Sequence, residues 1–285
     1  MKLARFDAGA GPRCGVVTDE GVVDLAAAVC KYTEIADIIA GGEQALAAVR
    51  ETLDTSKPHH ALSDVRLLAP VPRPGKYLAI GMNYQKHADE ARKLGVQIPE
   101  HQVWFNKQIT CICGPFDEID PGVTEKLDYE AELGVVIGAP AKGVKKEQAL
   151  AHVFGYFVAN DVSARDWQQH TPTFTMGKSF DTHGPIGPWI VTADEVADPQ
   201  NLELRCYVND ELRQTTNTND MVHTVARQIE YLSTAFTLEP GDLIATGTPS
   251  GVGVAMDPPV FLRPGDVVRC EIDGIGVIEN RVKGG

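Results

Sequence analysis

The chain has 285 residues, 43 % of them hydrophobic, enough to bury a large core as one domain or as a main domain with a small companion. Its 39 acidic and 26 basic residues leave a net charge of -13, and the basic ones are scattered in short pairs such as Lys145-Lys146, which argues against nucleic-acid and anionic-membrane partners. No apolar run approaches the ~20 residues of a membrane span. The opening Met1-Lys2-Leu3-Ala4-Arg5-Phe6-Asp7 also spaces its charges too closely for a secretory leader, so a cytoplasmic protein is expected.

The first ~60 residues read as a small α+β unit by pattern and turn signals. Two strands flank the Asp19-Glu20-Gly21 turn, and Ile35 to Leu53 forms a helix interrupted at Gly41-Gly42. A proline-rich connection follows, from Lys57-Pro58-His59-His60 to Ala69-Pro70-Val71-Pro72-Arg73-Pro74-Gly75, whose residues favour extended backbone. The domain division is placed there: residues 1–66 as the N-terminal unit and 67–285 as the catalytic one. His59-His60 has no acidic or Cys partner beside it in the sequence and reads as a solvated linker.

From Tyr77 onward short apolar strands alternate with Gly, Pro and Asp turns, and two Pro-Gly-Asp turns (240–242 and 264–266) each lead into an apolar run. Helices are expected only around 84–94, 145–152 and 220–236. The strand-helix rhythm of a dinucleotide-binding fold is absent, as is a Gly-rich phosphate loop. Six cysteines (14, 30, 111, 113, 206 and 270) show no C-x-x-C spacing, so neither a zinc site nor a disulfide framework is indicated. Cys111 and Cys113 read as small core residues.

Leu127-Asp128-Tyr129-Glu130-Ala131-Glu132-Leu133-Gly134 reads as a strand, which puts Glu130 and Glu132 on one face. The apolar run from Val153 ends at Asn160-Asp161 and delivers a third carboxylate from a neighbouring strand end. Such a trio either lies solvated or holds a hard cation, Mg2+ or Mn2+ rather than Zn2+. The flanking Leu127, Leu133 and Val135-Val136-Ile137 favour a buried strand, where unpaired carboxylates cost several kcal/mol. Asp128 shares their parity and is either a spare ligand or, more simply, a solvated strand start.

On the predicted helix after Gly81-Met82-Asn83-Tyr84, His87 and Glu90 share a face, either as a surface ion pair or as a general base with its orienting carboxylate. Thr175 to Pro188 sets Lys178 among small and turn-forming residues, able to hold an ammonium group against a carboxylate or an enolate. Thr246-Gly247-Thr248-Pro249-Ser250-Gly251-Val252-Gly253 is a further Gly-rich turn that can bring a hydroxyl and backbone N–H groups to a ligand.

Five ordered blocks together resemble the fumarylacetoacetate hydrolase family over nearly all of residues 75–283: Gly-Met-Asn-Tyr-x-x-His-x-x-Glu from 81, Tyr-Glu-Ala-Glu-Leu-Gly from 129, Asn-Asp-Val-Ser-Ala-Arg-Asp from 160, Gly-Lys-Ser-Phe-Asp-Thr from 177 and Thr-Gly-Thr-Pro-x-Gly-Val-Gly from 246. The resemblance implies an α+β, mostly β fold with a twisted β-roll C-terminal domain, a small α+β N-terminal domain and a homodimer. It implies that Glu130, Glu132 and Asp161 hold Mg2+ or Mn2+, that His87 and Glu90 form a water-activating dyad on a lid, and that Lys178 contacts substrate near the metal. Thr248 would bond the substrate carboxylate, with Arg165 and Gln168 in or behind the pocket.

The implied reaction is hydrolytic cleavage of a 2,4-diketo acid to pyruvate and a second acid. The cation and Lys178 would stabilise the enolate that develops in the transition state. The family also decarboxylates and tautomerises oxaloacetate and isomerises unsaturated hydroxy-dioates through that enolate, and fold alone does not choose among these. The Thr175–Pro188 stretch, Thr216-Asn217-Thr218-Asn219 and the Pro-Pro-Val-Phe run from 258 resemble the subgroup acting on 2,4-diketo-3-deoxy-L-rhamnonate and L-fuconate, a resemblance that extends to proteins associated with oxaloacetate. Gln108, Gln168, Gln169 and His170 would then meet sugar hydroxyls. His170 is either a specificity residue or an exposed loop histidine.

Overall fold

The computed structural model describes residues 1–93 and 100–284. The side chains of His87 and Glu90 lie outside the described residues, although the backbone there forms the helix Gln85–Lys93.

The fold is α+β and mostly β. An eleven-stranded mixed sheet forms the frame. Its order along the main path is Gly21–Asp24, Pro12–Thr18, Lys2–Asp7, Gly184–Thr192, Val153–Asn160, Ala131–Ile137, Leu243–Ala245, Tyr77–Gly81 and Val103–Asn106. The N-terminal strands join it directly, Lys2 opposite Val191 and Leu3 opposite Ile190. A separate four-stranded antiparallel sheet runs Glu211–Asn217, Glu203–Val208, Val267–Ile272, Gly276–Arg281.

The central strands are apolar on both faces, as strands covered on two sides must be. Leu133, Val135, Ile137, Tyr156 and Val158 pack against Leu204, Cys206, Val268, Cys270 and Ile278 of the smaller sheet and against the helix Val225–Ala235. Val136, Phe157, Ala159, Tyr77 and Ala79 point the other way, into a core that contains Ile35, Ile38, Ile39 and Val49 of the helix Ile35–Thr55. That helix kinks at Gly42 (φ 52°), at the predicted interruption, because only glycine adopts this backbone cheaply. Gly134 is required for another reason: a Cβ there would lie 2.2 Å from the Phe157 ring, registered directly opposite it.

The helices around 84–94, 145–152 and 220–236 are present as Gln85–Lys93, Lys146–Ala149 and Val225–Ala235. The predicted strand 127–134 is broken in two. Leu127–Asp128 pairs with Ser163–Ala164, and a new strand in the large sheet begins at Ala131. Asp128 is therefore not a solvated strand start: it is completely buried. His59 and His60 also depart from a free linker, since the Val22 N–H donates to the His60 carbonyl and the Asp24 N–H to His59 Nδ1. All six cysteines are buried and unbridged. Among the described residues no helix is long and apolar enough to cross a membrane.

Candidate active site

Glu132, Glu130 and Asp161 meet where two neighbouring strands open. Glu132 stands in the strand Ala131–Ile137, paired with Ala159, and Asp161 follows the end of Val153–Asn160. The Asp161 N–H donates to the Glu130 carbonyl (2.8 Å), and the Asn160 side chain accepts the Glu130 N–H (3.0 Å), so the break before Ala131 is bonded across the gap. Ligand oxygens of the three carboxylates lie within 4.8 Å of one another, and all three residues are buried.

Lys178 is the residue the sequence placed beside them. Its Nζ donates to Glu130 Oε2 and Asp161 Oδ2, both at 2.7 Å, and lies 5.2 Å from the Phe105 ring centre. An ammonium has three donors, so among the described residues one remains for a ligand. Arg165 Nη1 pairs with Glu130 Oε1 (2.7 Å) and reaches Gln168 Oε1 (3.0 Å), while its Nε donates to Asp128 Oδ2 (2.8 Å). Arg165 Nη2 is buried with no hydrogen-bond partner among the described residues. Asp128 also accepts from the Gly253 (2.8 Å) and Val254 (3.0 Å) N–H groups. It is the clasp between Arg165 and the C-terminal Gly-rich turn, not a spare ligand.

Glu132 is the unbalanced member. It accepts the Gly247 N–H (2.7 Å), but among the described residues no basic side chain pairs with it. Burial, then the charges of Asp161 and Glu130, push its carboxyl well above the usual carboxylate range. A hard divalent cation relieves that repulsion, and an all-oxygen donor set is what Mg2+ or Mn2+ takes, so the residues fit such an ion.

Thr248 lies against the same strand. Its hydroxyl donates to the Ala131 carbonyl (2.9 Å) and accepts from Gln214 Nε2 (2.8 Å). Its single proton is therefore already engaged, and donation to a substrate carboxylate requires that bond to open. Gln168 is half-buried behind Arg165. His170 is exposed, its ring 4.9 Å from that of Trp167, and Gln108 and Gln169 are exposed as well.

Three contributors escaped the sequence reading. Lys107 is buried and donates to Asp161 Oδ1 (2.6 Å), to the His183 carbonyl (3.0 Å) and to the Lys178 carbonyl. Burial opposes its charge most strongly of any one cause, but Asp161, Cys111 and Glu132 together overcome it and hold the Lys107 pKa above the ordinary lysine value. Gln214 orders Thr248 and Ala131. Asn83 bonds the Thr246 carbonyl (2.7 Å) and both the N–H and carbonyl of His223, fixing the start of the helix that carries His87 and Glu90 to the Gly-rich turn. The alternation of Phe105 and Lys107 at the end of an apolar run was the available signal for Lys107.

Such an acidic, lysine-bearing centre on a large β frame is a donor set suited to a hard cation beside an ammonium group. Residues 76–283 match the fumarylacetoacetate (FAA) hydrolase C-terminal family, and residues 1–70 match the family described as Rv2993c-like, N-terminal. The chain belongs to the fumarylacetoacetate hydrolase family. It is 46 % identical to the mitochondrial oxaloacetate tautomerase FAHD2B of Bos taurus and 43 % identical to the mitochondrial oxaloacetate tautomerase FAHD2A of Homo sapiens, each over 99 % of this chain and 91 % of the relative.

Among solved structures it is similar to the fumarylacetoacetate hydrolase of Exiguobacterium antarcticum (TM-score 0.86, 38 % identity, all of both chains). It is also similar to the maleylpyruvate hydrolase of Sphingobium sp. SYK-6 in complex with manganese(II) and pyruvate (TM-score 0.82, 33 % identity, all of both chains). The Bos taurus and Homo sapiens relatives are both named oxaloacetate tautomerases, an activity the family resemblance had left open beside hydrolysis, and neither is named for a sugar acid.

Proposed function

We propose that this chain interconverts the keto and enol forms of oxaloacetate or a closely related short 2-keto dicarboxylate, with a divalent cation held by Glu130, Glu132 and Asp161. The observation that carries this reading is the placement of the Lys178 ammonium 2.7 Å from two of three clustered carboxylates. The identity to oxaloacetate tautomerases over nearly the whole chain supports it further. When bound, the cation supplies electrophilic stabilisation of enolate charge.

Tautomerisation takes a proton from C3 and gives one to the C2 oxygen, the double bond moving from C2–O to C2–C3, with no bond to carbon broken besides that C–H. Lys178 keeps one donor for the oxygen that gains negative charge as the C3 proton leaves, an interaction strongest in the transition state. Arg165 Nη2, a buried donor without a hydrogen-bond partner among the described residues, is assigned to a substrate carboxylate, and Gln168 and Thr248 orient Arg165 and the Ala131 backbone. His87, with Glu90 three residues on, is assigned the moving proton. His170, exposed, is assigned at most a contact at the pocket rim. The working form is proposed to be a cytoplasmic homodimer.

A second reading is C–C hydrolysis of a 2,4-diketo acid, with His87 activating water. Full-length similarity to a maleylpyruvate hydrolase favours it. One experiment separates the two. Enol oxaloacetate is followed by its ultraviolet absorbance while pyruvate is assayed in parallel, with Mg2+ or Mn2+ and again after EDTA. Cation-dependent loss of enol without pyruvate supports the tautomerase. Inertness toward oxaloacetate with pyruvate released from an acylpyruvate supports the hydrolase and overturns the first reading.

A further inference from the structure

The geometry points to Lys107 as the positioning residue that fixes the distance between the Asp161 carboxylate and the Lys178 ammonium. The inference rests on the cation-and-enolate reading above and adds to it a residue outside that ligand set.

Lys107 is anchored first by its backbone, whose N–H donates to the Tyr77 carbonyl at 2.9 Å in the central part of the fold. From there its buried side chain reaches three acceptors on two other segments: Asp161 Oδ1, the Lys178 carbonyl and the His183 carbonyl. An ammonium has three donors, and all three are used. Lys178 Nζ meanwhile donates to the other oxygen of the same carboxylate, Asp161 Oδ2. The contacts therefore close a ring, from Asp161 through Lys107 to the Lys178 backbone and back through the Lys178 side chain to Asp161.

Such a ring has a specific consequence. The segment carrying Lys178 has left-handed backbone at Phe174 (φ 60°) and Thr182 (φ 66°), so it needs tertiary bonds to hold its shape. Lys107 supplies two of these, at the Lys178 and His183 carbonyls, with the same nitrogen that holds Asp161. The adjacent Gln108 N–H adds a third, to Ser179 Oγ at 3.0 Å. Moving Asp161 thus moves the backbone of Lys178. A side chain that only filled this space would be apolar, because a buried ammonium is strongly disfavoured unless fully bonded.

The test uses the full chain and Mn2+ as the probe, titrated by the electron paramagnetic resonance signal of free Mn2+, with thermal melting to confirm folding. Lys107→Met has similar length and no charge. Folded Lys107→Met is expected to bind Mn2+ roughly tenfold more weakly and to lose roughly a hundredfold in kcat, with KM changed much less. Lys107→Arg keeps the charge but not the three-way geometry, and is expected to recover Mn2+ affinity in part and kcat little.

Met and Arg variants that melt lower yet keep wild-type Mn2+ affinity and kcat per folded molecule would show a purely structural lysine and overturn the inference. Should Lys107→Met not fold, Lys107→Arg decides alone: unchanged affinity and kcat overturn it, and a loss in both supports it. Absence of Mn2+ binding by the unaltered chain would instead bring down the cation reading itself.

Discussion

The backbone N–H of Gly247 donates to Glu132 Oε2 at 2.7 Å, joining two residues 115 positions apart. Position 247 has φ +98° and leaves no room for a Cβ, which would sit 2.7 Å from Asn83 Cβ. Gly247→Ala is therefore expected to pull this donor away from Glu132 and to lower cation affinity and kcat together, roughly tenfold or more. Mn2+ titration beside steady-state kinetics checks it, and an alanine variant with wild-type values in both would contradict the arrangement.

Glu132→Gln should separate stability from function. The change removes the one buried carboxylate without a basic partner among the described residues, so the cation-free protein should melt at the same temperature or higher in EDTA. Mn2+ binding and activity should fall together. Full activity of this variant under chelation would refute the proposed ligand set.

Lys178→Met removes a positive charge from between Glu130 and Asp161. Mn2+ affinity is expected to stay the same or tighten while kcat falls by about 10²–10³, the scale of losing one transition-state donor. Weaker Mn2+ binding would mean that the lysine serves chiefly to hold the carboxylates.

Asp128→Ala leaves Arg165 Nε and three backbone N–H groups, those of Tyr129, Gly253 and Val254, without their buried acceptor. A loss of about 3–5 kcal/mol in unfolding free energy is expected, the usual scale for breaking a buried ion pair on one side. Chemical denaturation measures it, and a loss below about 1 kcal/mol would return Asp128 to the role of a solvated carboxylate.

His183 makes a pH signature. It is buried, its Nε2–H donates to the Asp120 carbonyl (3.0 Å), and burial, then Lys107, depress its pKa from 6.5 to about 4. The unfolded chain takes up this proton below about 6.5 and the folded chain only below about 4, so stability is lost as pH falls through that window. The loss is on the order of 3 kcal/mol by pH 4. His183→Phe should show a shallower decline between pH 6.5 and 4 in denaturant titrations. An identical pH slope in both proteins would remove this histidine from the acid response.

The sequence carried the carboxylate trio because alternation and a strand end are local signals. It carried Lys178 because turn-forming residues surround it. It did not carry Lys107, Gln214 or Asn83, whose partners lie 54, 34 and 163 residues away along the chain. Those partners become neighbours only through the order of strands in the sheet, which hydropathy does not encode. Asp128 was misread for a related reason: parity along one strand was assumed, whereas Leu127–Asp128 pairs in its own two-stranded ladder. The side chains of His87 and Glu90 lie outside the described residues.

The pairing of Lys2 with Val191 and Leu3 with Ile190 bears on where the chain can be cut. A protein begun at residue 67 would bare the outward backbone donors and acceptors at the Ile190–Thr192 end of the Gly184–Thr192 strand, while its Gly184–Pro185 end stays paired with Ile112–Cys113. Bare rows of this kind recruit strands from other molecules. Trimming the first segment is thus expected to give β-rich aggregates rather than a smaller soluble catalyst, and the opening strands act as a seal on the sheet that frames the chemistry.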